Sequence, residues 1–227
     1  MTNRSAALGL VLAALVLPVT AQGHGVQKLP PGALRGNEFR LHEYPTLSLA
    51  TPRQRAAAAR LLEAVRAAAR RWPTLRAARA AGFDTHTVRR TRGDVTVHFL
   101  HAENHAFSHD SHYLDPRRPE ALIYANIPIP GWPLRLVGLM FAMPRGMRGS
   151  TAGGPIARWH THTICAHGGK RGFAVSPGRA CPAGTKERQG GEMMHVWLTR
   201  DLRSAFAIHA PPRALGRADL LPWIYCH

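Results

Sequence analysis

Apolar positions between residues 52 and 72 return with a helical period. Leu61, Leu62, Val65, Ala69 and Trp72 share one arc of about 100°, with Arg55, Arg60, Arg66, Arg70 and Arg71 on the opposite side. Thr51-Pro52-Arg53-Gln54 has the form of a capping box with proline at the first helical position, and Pro73 closes the segment. Thr74 then caps a shorter helical stretch that stops at Gly82. Beyond Gly82 the period falls from 3.6 to 2. The segments 94–100 (DVTVHFL), 120–127 (EALIYANI), 134–143 (LRLVGLMFAM), 156–165 (IARWHTHTIC) and 192–199 (EMMHVWLT) read as strands. Gly138 marks a bulge in the third. Segment 204–210 (SAFAIHA) fits a strand or a helical turn.

Turn residues punctuate these segments. Asp115-Pro116 opens a turn, and Pro119 fixes the chain before the strand that starts near Ala121. The elements predict an α+β fold: an N-terminal amphipathic helix pair packed on a mainly antiparallel β-sheet or small β-barrel. Residues 51–227 form a single α+β domain, with a helical lead-in at 51–82 and a β-rich core at 94–210. Residues 22–50, rich in Pro and Gly, form an irregular connector.

The first 21 residues read as a signal peptide. Arg4 supplies a positive start, residues 6–17 are uninterruptedly apolar, and Val19-Thr20-Ala21 gives a small-x-small cleavage pattern. That apolar run is shorter than the roughly 20 residues needed to span a bilayer. The expected product is an exported protein, periplasmic or extracellular, that starts near Gln22.

Export changes how the cysteines read. Cys165 and Cys181 bracket a Gly- and Pro-rich loop and are expected to form a disulfide, the default for a pair outside the cytosol. Cys226 is left over and is open to a free thiol, an intermolecular bond or exchange. The net charge of +17 is carried almost entirely by arginine, since lysine occurs only at 28, 170 and 186. Such a balance suits an anionic envelope polymer or a lipid surface as partner. The arginines are dispersed, and no RNP signature, zinc-finger spacing or basic zipper accompanies them. Specific nucleic-acid binding is therefore not expected.

The 14 histidines are clustered. One group contains His98, His101, His105, His109 and His112. A second contains His160, His162 and His167, and a third His195 with His209 nearby. On a strand, His160 and His162 point to the same face, about 6.5–7 Å apart. With His98 and His195 on other strands, four imidazoles are placed to converge on one transition-metal ion. Imidazole suits copper or zinc, and Met140, Met143, Met193 and Met194 tilt the balance toward copper, because thioether is soft. Glu192, Glu103 and Asp110 are candidate ligands, imidazole partners or general bases. Ser108, His109 and Asp110 do not make a triad, because triad groups must meet in space rather than in sequence.

Two resemblances follow from these blocks. The spacing Gly154, His160, His162 is similar to the opening of the cupin metal motif. His167 stands where that motif has Glu, and its second half is not recognisable around His195. More broadly, residues 50–210 carry AARAAGF, VHFL, LDPRRPEALIYAN, LRLVGLMFAMP, GGPIARWHTHTIC and EMMHVWL. With its DPxxPExLxY and Trp-His-x-His blocks, the chain resembles an uncharacterised family of bacterial exported or membrane-attached proteins. The family pattern places Asn three residues after the first strand's histidine; here His101 stands there. The resemblance implies that His98, His160, His162 and His195 belong to one site, and it implies no activity.

Three functions fit this sequence. The first is an exported protein that holds copper or zinc through histidines on adjacent strands. The second is a metalloenzyme with the same histidines and an open coordination position. The third is a non-catalytic basic envelope protein that binds anionic polymer or lipid.

Overall fold

The computed structural model describes residues 44–84, 96–101, 103, 113–126, 133–144, 147–149, 153–161, 163–166, 173–175 and 181–215. The signal segment, most of the connector, Cys226, His162, His167, His105, His109, His112, Ser108 and Asp110 lie outside the described residues.

Helix α1 (Pro52–Ala69) starts at the capping box. The Gln54 amide donates to Thr51 Oγ1 at 3.2 Å, and the Thr51 amide donates to Gln54 Oε1 at 2.8 Å. These bonds satisfy two of the amides that a helix start leaves without an intrahelical partner. The buried stripe of α1 is Ala58, Leu62, Val65, Ala68 and Ala69, followed by Trp72. Burying a Leu or Val side chain contributes about 1.5–3 kcal/mol. Helix α2 (Leu75–Ala80) is capped by Thr74, whose hydroxyl accepts from the Ala77 amide at 3.2 Å.

The main sheet has the order β1-β2-β3-β4-β8, all antiparallel. Its strands are β1 (Phe83–Asp84), β2 (Thr96–His101), β3 (Ala121–Ala125), β4 (Arg135–Ala142) and β8 (Met193–Trp197). Ile123 pairs with Gly138 and Tyr124 with Leu136, so Val137 is the extra residue of a bulge beside Gly138. The sheet is apolar on both faces. Phe99, Leu122, Tyr124, Leu139, Phe141, Met194 and Val196 join the buried residues of α1 in one core. On the other face Ala121, Ile123, Val137, Met140 and Trp197 pack under the C-terminal segment through Ala207, Ala210, Ala214 and Leu215. That segment contains α3 (Leu202–Ala205), capped by Asp201, and α4 (Pro212–Leu215). Residues 204–210, ambiguous from sequence, thus begin with the end of a helical turn.

A second sheet has the order β6-β5-β7, with β5 (Thr163–Ala166), β6 (Phe173–Val175) and β7 (Lys186–Gln189). The Cys165–Cys181 disulfide is formed, with a Cα–Cα distance of 5.4 Å. The strand expected over 156–165 is not continuous. Gly154, at φ +53°, and Pro155 begin a 3-10 turn that ends at Ile156. His160 then makes an isolated antiparallel bridge to Met193 at the edge of the first sheet, and only from Thr163 does the chain join the second. The Trp-His-x-His block therefore lies where the chain crosses between sheets. Among the described residues no helix is long and apolar enough to cross a membrane.

Candidate metal centre

His98 sits in the middle of β2 and His195 in the middle of β8. In the register, His98 pairs with Ile123, Ile123 with Gly138, and Gly138 with Trp197; one row on, Ala121 pairs with Met140 and Met140 with His195. Paired residues of antiparallel strands share a face. His98 and His195 therefore lie on the face covered by the C-terminal segment, while Met194 and Val196 point into the core under α1.

Three strand steps of about 4.8 Å would separate these histidines by roughly 14 Å on a flat sheet. Their rings nevertheless meet. The His98 and His195 centroids are 5.4 Å apart, and Nε2 of one lies 3.4 Å from Nε2 of the other. The face they share must be concave, a shape that strand twist and the bulge at Val137 both favour. Ile123, Ala121, Gly138 and Met140 lie between them on this face, two of them small.

His160 joins from the edge. Its amide donates to the Met193 carbonyl at 2.9 Å, and the Met193 amide donates back at 2.7 Å. The His160 ring lies edge-on to His195 with centroids 5.0 Å apart. His160 and His195 are 6% and 5% exposed, so both rings are removed from water.

Backbone carbonyls set the tautomers. His195 Nδ1 is 2.6 Å from the Ile208 carbonyl, and His160 Nδ1 is 3.0 Å from the Arg158 carbonyl. A carbonyl only accepts, so each Nδ1 carries the hydrogen, and each neutral ring presents its lone pair at Nε2. This arrangement of a donating Nδ1 behind a free-electron-pair Nε2 is common in metal-ligating histidines. Trp197 packs at a tilt against His195, with ring centroids 5.2 Å apart, and donates through Nε1 to the Ala207 carbonyl at 2.7 Å. The 207–208 backbone thus fixes both rings. Burial holds the Arg158 guanidinium below its ordinary pKa.

The structure brings His98, His160 and His195 together; His162, the fourth expected ligand, lies outside the described residues. Among the described residues no group of three or more His, Cys, Asp or Glu side chains is arranged to hold a metal ion. His101 belongs elsewhere. It packs against Phe83 at 4.9 Å on the opposite face of the sheet, closely enough that a Cβ on Gly82 would meet its Nε2 at 2.6 Å. An open depression lined by Arg79, Gly82, Phe83 and Asp84 lies at that same corner, away from the imidazoles.

One sequence expectation, the pull of Met194 toward the histidines, needs correction. Met194 is a core residue on the far face, fully buried beneath α1, and cannot serve the histidines. The Glu192 carboxylate accepts the Gly149 amide at 2.6 Å, so it anchors a loop. Glu103 is exposed. Sequence reasoning missed the Ile208 and Arg158 carbonyls and the role of Trp197. Only Trp197 left a signal, since His-x-Trp on a strand puts both rings on one face. Comparison of the chain with family models, with curated proteins and with solved structures gives no match.

Proposed function

We propose that the protein is an exported metal-binding protein that holds a copper or zinc ion through His98, His160 and His195, with His162 as a fourth ligand. The approach of the His98 and His195 Nε2 atoms to 3.4 Å carries this reading. Two nitrogens bound at about 2.0–2.1 Å to a tetrahedral ion lie about 3.3–3.4 Å apart. As a hydrogen bond the same contact is long, since N–H···O bonds cluster nearer 2.9–3.0 Å. The Nδ1 bond to Ile208 leaves His195 Nε2 as a ligand without further rearrangement. In this reading the helices α1 and α2 back the sheet on the face away from the imidazoles. The Cys165–Cys181 disulfide suits an oxidising compartment.

Metal analysis of tag-free protein after loading with zinc or cuprous copper tests the proposal. About one equivalent is expected, falling well below one in the His98→Ala/His195→Ala variant. Equal metal content in the two proteins would remove the site.

One observation favours the third function, contact with an anionic polymer or lipid. Arg53, Arg60, Arg70, Arg71, Arg76 and Arg79 are all exposed along α1 and α2. Binding to anionic vesicles that weakens steeply with salt and survives the histidine variant would support it; binding indifferent to salt would not.

A further inference from the structure

The histidines do not stand alone on their face of the sheet. The Met143 amide donates to the Glu192 carbonyl at 2.7 Å, and the Leu198 amide donates to the Val137 carbonyl at 2.8 Å. These two bonds set the phase of the β4–β8 ladder. Odd-numbered residues of β4 exchange hydrogen bonds with β8, so Met140 and His195 form a non-hydrogen-bonded pair. Side chains in such a pair stand closest, with Cβ atoms about 4.5–5.5 Å apart. On its other flank Met140 pairs with Ala121, whose methyl group fills little space. Met140 is 6% exposed and therefore shielded from water. It lies on β4, between the strand of His98 and the strand of His195, and on the face that both histidines share.

Resting on the metal-binding reading above, we infer that the Met140 thioether is a further ligand and that the site is selective for cuprous copper. The ion that accepts both imidazole and thioether is a soft one. Zinc takes imidazole, thiolate and carboxylate and has little use for a thioether. If packing were the only demand at position 140, leucine, which conserves its volume, would meet it. Met140→Leu thus separates the two roles.

The experiment uses the full chain in a Cys226→Ser background, which removes the one thiol outside the disulfide. Cuprous copper is titrated anaerobically against bicinchoninate, and zinc separately against a colorimetric chelator. Met140→Leu is expected to weaken cuprous copper about tenfold or more and to leave zinc within about twofold. Copper X-ray absorption on the parent protein provides a readout independent of the variant's folding, and a sulfur neighbour is expected. Unchanged copper affinity in Met140→Leu, or a first shell of nitrogen and oxygen alone, overturns the role of Met140 while the histidine site stands. A parent protein that binds neither ion overturns the histidine site itself.

Discussion

The Nε2 atoms of His98 and His195 lie 3.4 Å apart although β3 and β4 run between their strands. Holding two imidazoles tip to tip requires a curled sheet and a cover over its concave face. An ion bound there ties β2 to β8 and should stabilise the native state alone. At roughly 100-fold excess over Kd, linkage predicts about 2.7 kcal/mol. For a domain of this size that is a rise in Tm of about 5–10 °C. Differential scanning fluorimetry with and without metal measures it. The His98→Ala/His195→Ala variant should show no shift, and a shift of equal size in that variant would place the metal elsewhere.

Gly138 controls the wall of the same site. A Cβ at this position would meet Trp197 Cε3 at 2.9 Å and the Val196 carbonyl at 3.2 Å. Trp197 cannot yield freely, because it is 1% exposed and bonded to the Ala207 carbonyl. Gly138→Ala is therefore expected to cost about 1–3 kcal/mol as an overpacked core substitution. It should also weaken metal binding, since the displaced indole lies against His195. Chemical denaturation and metal titration of one variant check both; a variant as stable as the parent would show that Trp197 has room to move.

Most of the sheet is legible in the chain. The strands at 94–100, 120–127, 134–143 and 192–199 overlap β2, β3, β4 and β8, because alternation and β-branching are local signals. The bulge beside Gly138 and the Cys165–Cys181 bond are legible for similar reasons, one from a residue without Cβ and one from a loop of suitable length. The helices beside an antiparallel sheet make the α+β class readable too. The segment 156–165 misleads because its alternation is real but its pairing is divided. His160 bridges to Met193 in one sheet, while Thr163 begins a strand of another. A switch between partners is a tertiary event with no local signature. β7, KERQ, is invisible for a different reason: its residues are polar or charged, so no apolar face announces it. Residue types and spacing single out His98, His160 and His195, whose rings approach one another in the structure, but not that the Ile208 carbonyl fixes the tautomer of His195.

Burial also leaves a pH signature on the face of the sheet opposite the histidines. Tyr124 is fully buried, and this pushes its phenol up to about 12. Its hydroxyl reaches the Trp72 and Thr74 carbonyls at 3.4 Å each. The folded state holds the proton more tightly than the unfolded chain, where tyrosine titrates near 10. The contribution is thus fully present below about pH 10 and is lost as pH rises toward 12, by about 2 kcal/mol. Tyr124→Phe should remove that alkaline loss while costing roughly 0.5–1 kcal/mol at neutral pH, because the hydrogen bonds are long. Urea denaturation at a series of alkaline pH values measures the difference. Parallel curves for parent and variant would mean that the phenol titrates alike in both states.

The disulfide stabilises the fold by tying β5 to the segment that leads into β7. Cys165 and Cys181 are 16 residues apart in sequence, and closing a loop of that length contributes about 3 kcal/mol in the chain-entropy model. Cys165→Ala/Cys181→Ala is therefore expected to lower Tm by about 6–12 °C. The effect on metal binding discriminates further. β5 begins three residues after His160, whose place is held by the Met193 bridge, while His98 and His195 belong wholly to the first sheet. If His98 and His195 dominate, metal still binds the variant at one equivalent, with affinity reduced only by the looser hold on residues 160–162. Loss of all binding in a variant that still folds would instead make the 160–162 segment the principal anchor of the ion.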